Sequence, residues 1–262
     1  MSGRSEKKMT ESARQIGHVL GIRIDALGWN EAISRLLLWA RQNESRYVTI
    51  CNAHVVVTAS QDSAYRAVIE SSDMATPDGA PVAWMLRRQG FAGQQRINGP
   101  DLTWALARSC EAEGVSVYFY GSTAETLAKL RQRLLAAFPA LRIAGMESPP
   151  FRHLNAEEDA EAVERMNASG AGIVFVGLGC PKQERWMAEH RGRVRAVMIG
   201  VGAAFDFHAG TVSRAPAWMR NNGLEWLHRL ASEPRRLWMR YLVTNSLFVV
   251  GAIRQLVFGH AR

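Results

Sequence analysis

Residues 176–187 read VGLGCPKQERWM, residues 199–216 read IGVGAAFDFHAGTVSRAP, and residues 223–241 read GLEWLHRLASEPRRLWMRY. The first two segments each open on an apolar, strand-like run that ends in a glycine pair, Gly177/Gly179 and Gly200/Gly202. A glycine turn between a strand and a helix lets backbone approach a ligand closely, and the helix N-terminus that follows favours negative charge. The third segment interleaves arginine with tryptophan and tyrosine, a composition suited to a charged, apolar boundary. Together they predict an α/β fold with a ligand crevice at the strand ends, followed by a basic helical segment.

Working outward, apolar runs at 47–51, 115–120, 143–145, 172–176 and 196–199 read as strands, with a further short strand before Asp78. Helical patterns fall at 62–71, 80–89, 101–113, 123–138, 156–168 and 181–190. Asp101 reads as the cap of a helix starting at Leu102, and Pro181 fits a first helical turn. Alternating β and α predicts a mostly parallel, Rossmann-like sheet covered by helices on both faces. The alternation stops near Gly210. Beyond it come helical pieces at 216–221 and 224–230, then a long helix from about Glu233 with Ser232 as its cap. The expected organisation is a polar, frayed tail at 1–17, a core at 18–210 and a helical, basic appendage at 211–262.

The 262-residue chain is 47% hydrophobic and 21% charged, the balance of a folded rather than a disordered chain. Its net charge of +8 is concentrated: residues 214–262 hold eight arginines against two acids, Glu225 and Glu233. Such a tail points to phosphates on a membrane, a substrate or nucleic acid. Cys51, Cys110 and Cys180 are sparse and form no CxxC, which argues for a reducing compartment and against a zinc site. Residues 1–15 are too polar for a signal peptide. The uncharged run 241–253 is shorter than the about 20 residues that span a bilayer. The expected location is cytoplasmic, peripheral to a membrane.

The candidate crevice residues are polar or glycine. Gly121, Gly177, Gly179, Gly200 and Gly202 form the turns. The third glycine of a dinucleotide fingerprint is replaced by Lys182, so a nicotinamide-binding reading is weakened. Lys182, Gln183 and Glu184 occupy the first helical turn beside the loop. Asn52 ends an apolar strand, Asp78-Gly79 sits between strand and helix, and Asn98 and Asp101 lie in a second polar loop. Asp78 fits either a turn aspartate or a general base. Asp206 and His208 form a pair without a third ligand nearby, and no Asp-x-Asp occurs, so no metal is expected. His54 and His208 read as structural. Arg236 and Arg240, four apart, share one helix face.

Several blocks in one order carry a more specific signal. NAHVV at Asn52, TPDGAPV at Thr76, RINGPDL at Arg96, YGS at Tyr120, GLGCPKQERWM at Gly177, IGVGAAFDFHAG at Ile199 and RAPAWM…GLEWLHRL…EPRRLWMRY from Arg214 resemble the WecG/TagA/CpsF group of bacterial glycosyltransferases, family 26. The resemblance runs from about Gly21 to Tyr241.

It implies an inverting transfer of a hexose-type sugar, of the glucose or N-acetylmannosamine class, from a UDP-sugar to a polyprenyl-diphosphate-linked saccharide in surface or exopolysaccharide synthesis. It also implies no metal or other cofactor, and an appendage docked on the inner face of the cell membrane. By the same resemblance Asp78 matches the base, Gln183 a substrate-pocket residue, and Arg229 and Arg236 lipid-diphosphate contacts, with Arg240 one position off another. Three departures stand out. Ile50-Cys51-Asn52 lacks the Thr-Pro-Asn hydroxyl of some members, His54 stands where many have Glu, and residues 148–151 read SPPF instead of His-Gly-Tyr-Phe. The pattern is nearer to members that transfer glucose. Competing readings are a Rossmann-type oxidoreductase and a basic membrane- or RNA-binding adaptor. No nucleic-acid motif favours the latter. A dimer or trimer would give the apolar tail one way to be covered.

Overall fold

The computed structural model describes residues 14–259. The elements run β1 (Ile16–Val19), β2 (Ile22–Asp25), α1 (Trp29–Arg41), β3 (Arg46–Cys51), α2 (Ala53–Gln61), α3 (Ser63–Glu70), β4 (Met74–Pro77), α4 (Gly79–Arg88), α5 (Gly99–Glu113) and β5 (Val117–Gly121). They continue with α6 (Ala124–Ala137), β6 (Ile143–Glu147), α7 (Ala156–Ala168), β7 (Ile173–Gly177), α8 (Lys182–His190), β8 (Val197–Gly200), α9 (Ala204–Ala209), α10 (Ala217–Asn221), α11 (Glu225–Ser232) and α12 (Pro234–Phe258).

Six strands form one parallel sheet in the order β4-β3-β8-β7-β5-β6. All of them end at one edge, and every loop of interest leaves from that edge. The expected Rossmann-like α/β architecture is therefore present. Successive strand residues alternate between two cores, as a pleat with period two demands. Val48, Ile50, Phe119, Phe175 and Ile199 point to one side, against α1, α5, α6 and α9. Tyr47, Tyr118, Tyr120, Val174 and Met198 point to the other, against α7 and α8. On the first side Phe119 stacks on Phe175 at 5.1 Å and meets the edge of Phe205 at 5.5 Å. Each aromatic pair contributes about 0.5–1.5 kcal/mol beyond its buried area.

Some elements differ from the sequence reading. Ile16 and Gly17, placed there in the tail, begin an antiparallel β1–β2 hairpin, and Arg14 pairs with buried Asp25 at 2.6 Å. Residues 1–13 lie outside the described residues. Asn98, not Asp101, caps α5: its side chain accepts the Asp101 N–H, while Asp101 sits in the first turn and pairs with Arg214. The cap side chain must precede the amide it serves by two or three residues, which Asp101 does not for this helix. Ser232 does not cap α12. It ends α11 and donates its hydroxyl to the His228 carbonyl, and Glu233 takes the boundary. Pro181 precedes α8, behind a cis Cys180–Pro181 bond.

α12 is longer than the apolar run suggested. Leu237–Phe258, 22 residues, is long and apolar enough to cross a membrane. One stripe of it nevertheless rests on the core. Leu237, Thr244, Phe248 and Ala252 are buried, and Gln255 bonds both the Leu20 N–H and the His18 carbonyl of the hairpin. The opposite stripe, including Trp238, Leu242, Val249, Ile253 and Phe258, is exposed.

Candidate active site

A cavity of about 690 Å³ opens at the carboxyl edge of the sheet. Loops after all six strands reach it, and Arg229 of α11 and Leu237 and Arg240 of α12 close one side. Such an edge is where open α/β sheets bind ligands. Of the residues singled out from sequence, Asn52, Asp78, Gly177, Gly179, Lys182, Gln183, Glu184, Gly200, Gly202, Asp206, Arg229 and Arg240 line it. Arg229 and Arg240 thus converge although they lie on different helices. The side chain of Arg236 lies outside the described residues.

Asp78 occupies the N-cap position of α4, yet its side chain makes no capping bond. Its carboxyl instead meets the Asn52 side chain and the Gly79 N–H, with Arg96 and Glu225 nearby. Burial first, and the Glu225 carboxylate second, push it up to about 6, against the opposing pull of Arg96 and the two hydrogen bonds. A carboxyl poised there is a competent proton acceptor near neutral pH. Asn52 serves two elements. Its Oδ1 caps α2 by accepting from the His54 and Val55 N–H groups at 3.0 and 3.1 Å, which turns the amide nitrogen toward Asp78. Ile50 presents an apolar wall beside them.

Gln183 spans the floor. Its Oε1 accepts the N–H groups of Gly179 at 3.2 Å and Gly202 at 3.1 Å, and its Nε2 donates to Glu184 Oε1 at 2.8 Å. Two glycine-loop amides expected to face a ligand are therefore already bonded. Glu184 is 1% exposed, and burial raises its carboxyl above the ordinary range. Lys182 stays exposed at the first turn of α8, between this cavity and a smaller one of about 260 Å³ lined by Tyr120, Trp186 and His190. Asp206 lies opposite, with the Ser122 hydroxyl 3.4 Å from its Oδ1.

Three candidates lie off the cavity. Gly121 is a packing glycine at φ +127°, where a Cβ would sit 2.6 Å from the Gly177 backbone. Gly79, at φ +79°, opens α4 behind Asp78. Asn98 is buried in an ion-pair frame with Asp101 and Arg214, and its neighbour Gly99 lines the cavity in its place. The two histidines are held by structure. His54 Nδ1 lies 3.4 Å from Thr244 Oγ1, and burial followed by Arg240 push it down to about 4. His208 stacks on Trp104 and faces the Pro100 carbonyl. Among the described residues no group of three His, Cys, Asp or Glu side chains stands together as a metal site would need.

Residues missed by sequence reasoning are Thr123 and Phe207 in the cavity wall and Arg96 and Glu225 beside Asp78. Arg96 pairs with Glu225 at 3.1 Å, and Glu225 also reaches Arg214 at 3.5 Å, tying α11 to the loop beside Asp78. Arg96 stands in the RINGPDL block and Glu225 in GLEW, so both were in view, but their meeting across 129 positions was not.

The chain matches the family described as glycosyl transferase WecG/TagA/CpsF over residues 17–262. It is also 33% identical over 202 residues to the N-acetylglucosaminyldiphosphoundecaprenol N-acetyl-beta-D-mannosaminyltransferase of Bacillus spizizenii strain W23, covering 77% of this chain and 76% of that protein. With a parallel sheet whose strand ends gather the matching blocks into one polar cleft, this chain belongs to the WecG/TagA/CpsF family of glycosyltransferases.

Proposed function

We propose that this cleft moves a hexose-type sugar from a UDP-sugar to a polyprenyl-diphosphate-linked saccharide, with inversion, and that Asp78 is the general base. The observation that carries the reading is the placement of Asp78. It is a partly buried carboxyl raised to about 6, on the wall of a cleft that also holds Lys182, Arg229 and Arg240. The named activity of the Bacillus relative, transfer to a sugar-diphosphate-lipid, fits a cleft of that charge.

In this mechanism an acceptor hydroxyl attacks the anomeric carbon of the donor. Its proton passes to Asp78, the bond from that carbon to the phosphate oxygen breaks, and UDP departs with the bonding pair. Attack opposite the leaving group turns an α-linked donor into a β-linked product. Lys182 and the N-terminus of α8 offset charge on the departing diphosphate without a metal ion. Arg229 and Arg240 hold the diphosphate of the acceptor lipid. Asp206, beside Ser122, faces donor hydroxyls.

The exposed stripe of α12 lies on the inner face of the cell membrane and brings the cleft to its acceptor. The ties of Gln255 and Thr244 to the core suit a helix lying along that surface better than one crossing it. Nucleic acid has no place in this reading. Asp78→Asn should lower turnover about 10²–10⁴-fold while leaving UDP affinity within about twofold. Near-normal turnover in that variant would remove Asp78 from the mechanism.

A further inference from the structure

We propose that Glu184 is a positioning residue: it holds the Gln183 amide in the one orientation that staples the β7 and β8 glycine loops together across the floor of the cleft. The proposal rests on reading this cleft as the donor site. The hydrogen bonds decide the geometry. The N–H groups of Gly179 and Gly202 both point at one atom of Gln183. Both are donors, so that atom is the amide oxygen. The amide nitrogen must then face an acceptor, and the one it meets is Glu184 Oε1 at 2.8 Å. Without that acceptor the two glycine N–H groups alone would hold the amide, and its buried nitrogen would lose the carboxylate that anchors it.

The surroundings allow little else. Gln183 is 5% exposed and Glu184 1% exposed. A Cβ on Gly200 would sit 3.0 Å from Gln183 Nε2 and 2.8 Å from Met187 Cε, so the amide is packed on its β8 side. The second carboxyl oxygen of Glu184, Oε2, is buried with no partner at close hydrogen-bond geometry, and a buried carboxyl is costly unless its neighbours match it. The Tyr65 hydroxyl and Cys180 thiol face the same carboxyl and lie 3.3 Å from each other.

The consequence is mechanical. Lys182 follows the β7 loop and Asp206 follows the β8 loop. The staple sets the spacing between them, and so the fit of a nucleoside diphosphate between the loops.

The test combines a ligand-free readout with a binding one. Amide hydrogen exchange at Gly179 and Gly202 is measured by NMR, and UDP affinity by calorimetry, for wild type, Glu184→Ala, Glu184→Gln and Gln183→Glu. Glu184→Ala should speed exchange at both glycines at least about tenfold and weaken UDP about tenfold, the change that about 1.4 kcal/mol produces. It should raise the donor KM more than it lowers kcat. Glu184→Gln, which still offers an oxygen to Gln183, should restore protection at both glycines and most of the affinity. In Gln183→Glu two carboxyls face each other and share a proton, so UDP affinity should fall as pH rises, unlike wild type.

Unchanged exchange at both glycines in Glu184→Ala would overturn the proposal. So would Glu184→Gln losing as much protection as Glu184→Ala. Should the alanine variant not fold, the glutamine variant and Gln183→Glu decide on the same readouts. Failure of wild type to bind UDP would overturn the donor-site reading, and glycine exchange would still judge the staple separately.

Discussion

Replacing Glu225 with glutamine should shift the acid limb of the kcat/KM profile to lower pH. Asp78 stands at about 6 because burial and Glu225 raise it while Arg96 and two hydrogen bonds hold it down. Glu225→Gln removes the second of the raising causes. It also weakens the 3.1 Å pairing that holds Arg96, leaving that cation freer to act on Asp78. Both changes stabilise the carboxylate. Losing one nearby anion in partly hydrated protein is worth on the order of 1.4 kcal/mol, about one pH unit.

As the proposed base, Asp78 works only when ionised, so activity should be lost as pH falls through its pKa. At pH 5 about a tenth of wild-type Asp78 is ionised, against about half in the variant. Relative to its own plateau, the variant should therefore be roughly fivefold more active at pH 5. The assay is acceptor-dependent UDP release from pH 4.5 to 8. The plateau will fall if α11 loosens, so the midpoint is the readout. Tyr241, Arg229 and Arg240 also face this region and are unchanged in the variant. A limb that stays in place, or moves to higher pH, would refute the coupling of Glu225 and Arg96 to Asp78.

Other outcomes follow from the same structure. Asp78→Asn should gain stability at pH 7. A carboxyl whose folded pKa is raised from 3.8 to about 6 stabilises the fold below 3.8 and loses that contribution as pH rises through 6. The gain, about 1–3 kcal/mol at pH 7, should show as a higher Tm that vanishes near pH 4. An equal shift at both pH values would contradict the burial argument. Gly121→Ala should lower stability by about 3 kcal/mol, measured by denaturant melting, because its Cβ meets the Gly177 backbone. Gly192→Ala, also at positive φ but with open space around it, should cost only the backbone strain of about 1–2 kcal/mol. Val249→Asp/Ile253→Asp should abolish co-sedimentation with anionic lipid vesicles and leave the circular dichroism spectrum intact. Retained vesicle binding would move the docking surface elsewhere.

The sheet was legible because its inner strands are buried on both faces and read as continuous apolar runs such as 47–51 and 172–176. The β1–β2 hairpin was not, since each strand has only four residues. Its turn at Leu20-Gly21, with φ of 51° and 76°, was the one local sign. α1 and α2 passed unmarked, although Asn52 proved to cap α2. In the site, glycines and polar residues at strand ends could be picked out one at a time. Their division of labour could not. Gly121 packs against the next strand while Gly202 bonds Gln183, and nothing local separates the two. Likewise Arg96 and Glu225 acquire meaning only through a contact that spans the core and the helical segment after it.

The most direct test of the account is UDP release by the purified protein. It would be run with a panel of UDP-sugars, a short-chain polyprenyl-diphosphate saccharide, and EDTA present or absent. The account predicts release from one hexose-type donor that requires the acceptor and survives EDTA. Release from no donor, or release abolished by EDTA, would contradict it.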